Sequence, residues 1–197
     1  DFTKALKGVR SVCRMDLIID GEKVLENYGE VQFTDYGLSG IPIMQLSRFV
    51  SMSPSGNIYI NLDVTPDFTK DEIENYLWDR REFGTGICEN LLIGVMNKQL
   101  CITLLKECSV APNSRICDLS DDEIIRIASL CKCWKIKIRT ARGFDFAQVT
   151  AGGADCSQFN SETMESKLCN NLFCCGEAYN IDGDCGGFNL QWAWSSA

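Results

Sequence analysis

Glycines and acidic side chains are grouped in the last quarter of the chain, in a pattern that could hold a flat or anionic ligand. The short apolar run 172–175 ends in Gly176-Glu177, and Gly186-Gly187 then precede residues typical of a helix start. The first N–H groups of a helix have no partner within it and carry the positive end of its dipole. The pattern therefore predicts a site for a nucleotide-type cofactor, although Gly-Gly alone is also typical of a flexible turn.

A calcium loop is an alternative interpretation of this stretch. Asn180, Asp182 and Asp184 alternate as the oxygen ligands of an EF-hand do. The glycine required at the sixth position of such a loop is replaced by Cys185, and the bidentate glutamate at the twelfth by Gln191. The sequence therefore predicts no metal site.

A second glycine-rich stretch, 84–89, imitates the opening of a dinucleotide fingerprint. It follows the charged run 79–82 instead of an apolar strand, and it ends in Glu89 where the fingerprint needs a small residue. We therefore expect no adenine or pyrophosphate site from the residues of this chain.

Twelve cysteines occur without a histidine, and they could form disulfides, a metal site or ordinary reduced thiols. No Cys-x-x-Cys spacing is present, and cysteines such as Cys101 and Cys131 lie in apolar runs, where a thiol behaves as a small hydrophobe. Reduced structural thiols are favoured, which predicts a cytoplasmic location. Thiol redox chemistry at Cys174-Cys175 is a minor alternative.

Composition excludes several classes of partner. With 197 residues, 45% of them apolar, the chain can form a folded core, and its formal charge of −8 disfavours nucleic acid and anionic membrane surfaces. No apolar run is long enough to span a bilayer.

Local patterns predict the strands. Apolar and polar residues alternate, or turn residues bound apolar runs, so we predict strands over 9–19, 23–25, 29–34, 57–64 and 134–139. Asp20-Gly21 favours a tight reversal between the first two. Two further apolar runs, 147–150 and 172–175, are predicted as short buried strands of an α/β nucleotide-binding domain.

Helix signals are concentrated in the middle of the chain. Thr69 with Glu72 and Ser120 with Glu123 match the capping box, and Pro42 suits the first turn of an earlier helix. Apolar residues also predict short helices over 91–96 and 100–107. A small helical bundle is therefore expected.

Four stretches resemble flavoproteins of the HI0933/YhiN/BaiN type. They are 29–42, 149–153, 163–167 and 176–193, and they follow the family's order along nearly the whole chain. Members of this family bind FAD and are treated as oxidoreductases. The family's amino-terminal Gly-x-Gly-x-x-Gly fold is missing from this sequence, so the resemblance implies a carboxy-terminal portion.

Two positions depart from the family pattern. Asp35 stands where the family commonly has histidine, and Ile41 separates Gly40 from Pro42. A carboxyl group titrates about two to three pH units below an imidazole, so Asp35 could not replace a histidine that acts as acid or base. The catalytic residues stay unknown, and Tyr36 is expected to pack instead of closing over a ligand.

The resemblance implies an α+β fold with two domains. Residues 1–143 would form an inserted substrate or cap domain, a small antiparallel sheet or partial β-barrel with a helical subregion over about 67–131. Residues 144–197 would be an incomplete α/β segment of an FAD-binding Rossmann-like domain. The implied cofactor-binding residues are Gly152, Gly153, Gly176, Glu177, Asp182, Gly183, Gly186, Gly187, Phe188, Asn189 and Leu190.

The implied chemistry belongs to the intact protein. FAD would transfer hydride between NAD(P)H and an unidentified small organic substrate, and the missing amino-terminal flavin domain would be a partner of this chain. The chain alone is expected to be inactive and to bind FAD weakly or not at all. The alternative is a non-enzymatic interaction module that docks to a partner or forms a homodimer.

Overall fold

The computed structural model describes residues 2–53 and 56–197. Within these residues five strands and six α-helices form an α+β fold, as the sequence predicts. In chain order they are α1 (Phe2–Ala5), β1 (Arg10–Ile19), β2 (Glu22–Phe33), β3 (Leu38–Ser39), α2 (Ile41–Met52), β4 (Ile58–Asp63), α3 (Lys70–Phe83), α4 (Lys98–Glu107), α5 (Asp121–Lys132), β5 (Trp134–Ile138) and α6 (Phe188–Ser195). Among the helices of the described residues, none combines the length and apolar character that crossing a membrane requires.

The strands form one antiparallel sheet in the order β3-β2-β1-β4-β5. Asp20 and Gly21 join β1 to β2 with φ values of 53° and 92°, and two positive values suit the twist of a two-residue hairpin. The predicted segments 23–25 and 29–34 belong to one continuous strand, β2. At its far end β2 pairs with β3 only through Gln32 and Phe33.

The predicted capping boxes start α3 and α5. Thr69 accepts the N–H of Glu72 while the Glu72 side chain accepts the N–H of Thr69, and Ser120 and Glu123 do the same. Each box satisfies two backbone donors that the helix leaves open. The predicted helix near Pro42 is α2, which begins directly after Gly40.

The predicted helix over 91–96 is wrong. These residues form consecutive turns that include Gly94 at φ 85°, a left-handed conformation that a helix does not contain. Leu91 and Leu92 are fully buried, so the apolar pattern marks a core position instead of a helix. The adjacent helix α4 begins at Lys98, where the side chain of Asn97 caps it.

The chain divides into two compact units. The first comprises Asp1–Leu46 and Ser55–Arg139, and the second comprises Ser47–Pro54 and Thr140–Ala197. The division falls within α2 and just after β5. The core of the first unit is formed by the apolar face of the sheet and by helices α3 to α5.

The second unit contains α6 but, across Thr140–Ala197, no strand of a sheet. Its extended segments meet only at isolated bridges, such as that between Ala154 and Tyr179. The predicted buried strands over 147–150 and 172–175 are therefore wrong, and Phe173 is 59% exposed. A buried strand needs neighbours that satisfy its backbone on both sides, and this unit does not supply them.

Candidate functional site

The start of α6 carries the open amides that the sequence predicts. Its N-cap residue, Gly187, has φ 99° and provides no side-chain hydrogen bond, and Gly186 before it has φ 134°. Gln191 donates its N–H to the carbonyl of Gly187 at 2.9 Å. This is the first of the backbone hydrogen bonds between residues four apart that form the helix. The preceding N–H groups, those of residues 188–190, point out of the helix start without a capping side chain.

The side chain of Asn189 closes the loop that leads into α6. Its Oδ1 accepts the N–H of Gly183 at 2.8 Å, and its Nδ2 donates to the Gly183 carbonyl at 3.0 Å. A Cβ atom on Gly183 would lie 2.9 Å from the Cβ of Phe188. The two ends of the segment 183–189 are therefore held together, and glycine is the residue that fits between them.

The structure also brings 150–153 and 176–179 together. The Glu177 carboxylate accepts the N–H of Thr150 at 3.0 Å. A Cβ atom on Gly153 would lie 2.6 Å from the carbonyl carbon of Tyr179, so the two backbones touch. By contrast, a Cβ on Gly152 would meet nothing within 4 Å, and its φ of 98° is what favours glycine there.

Gly176 is buried and both of its backbone groups are in use. Its N–H donates to Ser196 Oγ at 2.8 Å, and its carbonyl accepts the indole N–H of Trp192 at 3.0 Å. In the candidate site Gly176 therefore holds α6 in place and does not offer an amide to a ligand.

A small aromatic cluster supports this arrangement. The ring of Tyr179, 2% exposed, lies edge-on to Phe159 at 4.9 Å and to Trp192 at 5.9 Å between centroids. Burial raises the pKa of the Tyr179 phenol, which donates to the carbonyl of Met164 at 3.3 Å. The phenol is thus a neutral structural donor.

Asp182 is paired with a residue that sequence reasoning missed. Nε of Arg48 lies 3.1 Å from Asp182 Oδ2, and an Nη of the same guanidinium donates to the Asp182 carbonyl at 3.1 Å. Both residues belong to the second unit. They are 134 positions apart, and no local pattern links them.

The predicted residues near the front of the chain lie in the first unit. Asp35 forms an ion pair with Lys7 at 2.7 Å. Tyr36 is 56% exposed, and the expectation that it packs stays a prediction. Lys167, in the second unit, donates to the carbonyl of Ser157 at 2.9 Å and is exposed.

Three further features of the sequence remain, namely the glycine-rich stretch 84–89, the capacity to bind a metal ion and the cysteines. Gly84, which opens the rejected fingerprint, is the C-cap of α3. It also borders a shallow surface depression, which is lined by Tyr76, Asp79, Arg80, Phe83 and Gly84. Within residues 2–53 and 56–197, no three His, Cys, Asp or Glu side chains are grouped to hold a metal ion. All twelve cysteines are free thiols.

Comparison with known proteins gives one family match and several relatives. The family described as "HI0933-like protein barrel and H2TH domain" matches residues 1–149. A 3-dehydro-bile acid delta(4,6)-reductase of Clostridium scindens is 31% identical over 200 residues, which cover 99% of this chain and 48% of the relative.

Two ribosomal RNA dihydrouridine synthases are also similar. That of Escherichia coli is 31% identical over 84% of this chain and 40% of its own length, and that of Haemophilus influenzae is 28% identical over 86% and 41%. The chain thus spans about half the length of the relatives it matches, or somewhat less. Because the family match covers the sheet, helices α1 to α5 and most of the chain, this protein belongs to the HI0933-like family.

Proposed function

We propose that this chain is part of a flavin-dependent oxidoreductase that uses NAD(P)H to reduce a small organic substrate. The observation that carries the proposal is the uncapped start of α6 after Gly186-Gly187. Relatives support it, because one is named a delta(4,6)-reductase and two are named dihydrouridine synthases. Both names describe the addition of hydrogen across a carbon–carbon double bond, and we propose the same reaction type here.

The residues at the start of α6 fit FAD. When bound, FAD would accept hydride from NAD(P)H and deliver it to the substrate. The open N–H groups of residues 188–190 would stabilise negative charge at the pyrimidine edge of the ring, since they carry the positive end of the helix dipole. Phe188 and Leu190 are 63% and 70% exposed and would offer apolar area to a flat ring.

Charge favours a small substrate over RNA. Among the relatives the named substrates are a bile acid derivative and ribosomal RNA. The formal charge of −8 on this chain would repel a phosphate backbone, whereas a small apolar molecule would be unaffected. We therefore propose a small conjugated carbonyl compound as the substrate class.

Exposed apolar side chains of the second unit suggest a partner. The largest exposed fractions are those of Phe144, Leu168, Leu190 and Trp194, at 83%, 76%, 70% and 81%. These large apolar groups are spread over residues 144–194 of one small unit, and we propose that they contribute to an interaction surface. Because the relatives are about twice as long as this chain, we propose that the flavin-binding part of the full-length protein covers this surface.

The test compares the protein at the full length encoded by its gene with residues 1–197. We expect the full-length protein to show the visible absorption bands of oxidised flavin and to release FAD on denaturation, and the shorter chain to be colourless. NAD(P)H consumption is then measured with a steroid 4,6-dien-3-one and with ribosomal RNA. Turnover is expected with the steroid alone.

The interaction module is the competing function, because the same exposed side chains would serve it. A full-length protein that stays colourless and does not respond to added FAD would favour the module. In that case light scattering of the full-length protein should reveal a dimer or a larger assembly.

A further inference from the structure

Arg48 holds both the side chain and the backbone of Asp182. Its Nε is 3.1 Å from Oδ2 of the carboxylate, and its Nη1 donates to the main-chain carbonyl at 3.1 Å. The Asp182 side chain is 5% exposed, and that of Arg48 is 35% exposed. Arg48 lies on α2, within the part of that helix that belongs to the second unit.

The Asp182 carboxylate is not placed to contact a ligand itself. Both of its oxygens are buried, and neither has a hydrogen-bond partner within the described residues, because the Nε of Arg48 is close but poorly aligned. A buried carboxylate in this state depends on its cation, since loss of the cation leaves an uncompensated charge. The ion pair is therefore an anchor.

A short series of contacts leads from this anchor to the open amides. Asp182 is followed by Gly183, whose N–H and carbonyl are both bound by the Asn189 side chain. Asn189 is the second residue of α6, and its own N–H is one of the open donors. The direction of these donors therefore depends on the backbone at Asp182, which Arg48 fixes.

We propose that Arg48 is a positioning residue for the cofactor loop 182–190, and this rests on the proposed flavin site. By fixing the Asp182 backbone, Arg48 keeps the N–H groups at the start of α6 directed at the flavin. Donors that stabilise negative charge act more strongly on the reduced cofactor than on the oxidised one. Loss of Arg48 should therefore weaken FAD binding and lower the midpoint potential.

The experiment uses three variants of the full-length protein: Arg48→Met, Arg48→Lys, and Arg48→Met combined with Asp182→Asn. The first leaves a buried charge without a partner, and the double variant removes that charge. The control is Arg10→Met, which breaks an exposed ion pair with Glu30 at 3.2 Å in the first unit. Titration of the apoprotein gives the Kd for FAD, and thermal unfolding and the midpoint potential are measured in parallel.

We expect the double variant to regain most of the thermal stability that Arg48→Met loses. It should nevertheless bind FAD about tenfold more weakly than the wild type and show a lower midpoint potential, because residues of one contact network are coupled. Arg48→Lys keeps the positive charge but cannot contact the Asp182 carboxylate and the Asp182 carbonyl at the same time. Its Kd for FAD and its midpoint potential should therefore lie between those of the wild type and Arg48→Met. Arg10→Met should match the wild type.

Two other results would overturn the proposal in distinguishable ways. If the double variant recovers wild-type Kd and potential together with its stability, Arg48 serves only to neutralise Asp182, and the flavin site stands. If the wild-type protein itself does not bind FAD, the proposed function and the positioning role both fail.

Discussion

Ser196 Oγ accepts the buried N–H of Gly176 at 2.8 Å, across twenty residues of sequence. The same hydroxyl donates to the carbonyl of Trp192 at 2.8 Å, and the Trp192 indole donates to the Gly176 carbonyl at 3.0 Å. These bonds attach the last turn of α6 to the Gly176-Glu177 turn. Contacts at its last turn therefore also help to position the open amino end of the helix, in addition to those that reach it from Arg48 and Asp182.

Ser196→Ala should destabilise the second unit. The substitution leaves the Gly176 N–H buried without its acceptor, which costs about 1–3 kcal/mol. Thermal unfolding and the rate of proteolysis at the carboxy terminus would report the loss. Ser195→Ala is the matched control, because Ser195 is exposed, and an equal effect of both substitutions would contradict the role of Ser196.

Gly153→Ala and Gly152→Ala should differ although the glycines are adjacent. A Cβ on Gly153 meets the Tyr179 carbonyl carbon at 2.6 Å in addition to a φ of 147°, whereas Gly152 has only an unfavourable φ of 98°. We expect a loss of about 3–5 kcal/mol for Gly153→Ala and about 1–2 kcal/mol for Gly152→Ala. Urea unfolding of the two variants measures the difference. Equal losses would show that the backbone contact is relieved at little cost.

Some of this arrangement follows from local sequence and some does not. The Asp20-Gly21 hairpin and the Thr69–Glu72 capping box are encoded within four residues, and both predictions are confirmed. The ion pair of Arg48 and Asp182 joins residues 134 positions apart. Nothing in the sequence around either residue indicates which residue it pairs with. The pairing is therefore visible only in the folded structure.

Lys132→Met should destabilise the first unit. Nζ of Lys132 lies 2.6 Å from the Asp63 carboxylate and also donates to the carbonyls of Thr65 and Phe68. Both charged side chains are mostly buried, so removal of the cation should cost about 2–4 kcal/mol. Urea unfolding is the measurement. Lys137→Met, at an exposed position of β5, should change stability little.

Buried thiols should make the first unit sensitive to alkali. Burial raises the pKa of Cys13 from its ordinary value of 9.0 to about 12. Between these values the thiol ionises in the unfolded chain but not in the folded one. The contribution of the protonated Cys13 thiol to the free energy of unfolding is therefore fully present below pH 9.0. It is lost as the pH rises towards about 12.

Cys13→Ala tests this contribution through the slope of stability against pH. Above the ordinary thiol pKa, the variant should lose stability less steeply than the wild type, by about 1.4 kcal/mol per pH unit. Urea unfolding at a series of alkaline pH values gives both slopes. Cys117→Ala, which removes an exposed thiol, is the control. Parallel slopes for Cys13→Ala and the wild type would mean that Cys13 ionises equally in both states.

Apolar runs alone do not reveal whether a segment is buried. Residues 134–138 and 172–175 both carry apolar side chains, and only the first became a strand, β5. β5 pairs with β4 through five register partners, whereas Phe173 meets only Glu165 in an isolated bridge. Burial depends on what lies alongside, and hydrophobicity by itself does not specify that neighbour.

The shortness of β3 affects how two copies of this chain could associate. Among the described residues, the start of α2 covers the outer side of β2 near Asn27 and Gly29, whereas the first part of β2, residues 22–26, pairs with β1 alone and leaves an open sheet edge. Lys23 on this strand lies 2.7 Å from Asp16 and 2.5 Å from Glu26. A second copy that extended the sheet there would have to dehydrate these charges, which guards against edge-to-edge aggregation.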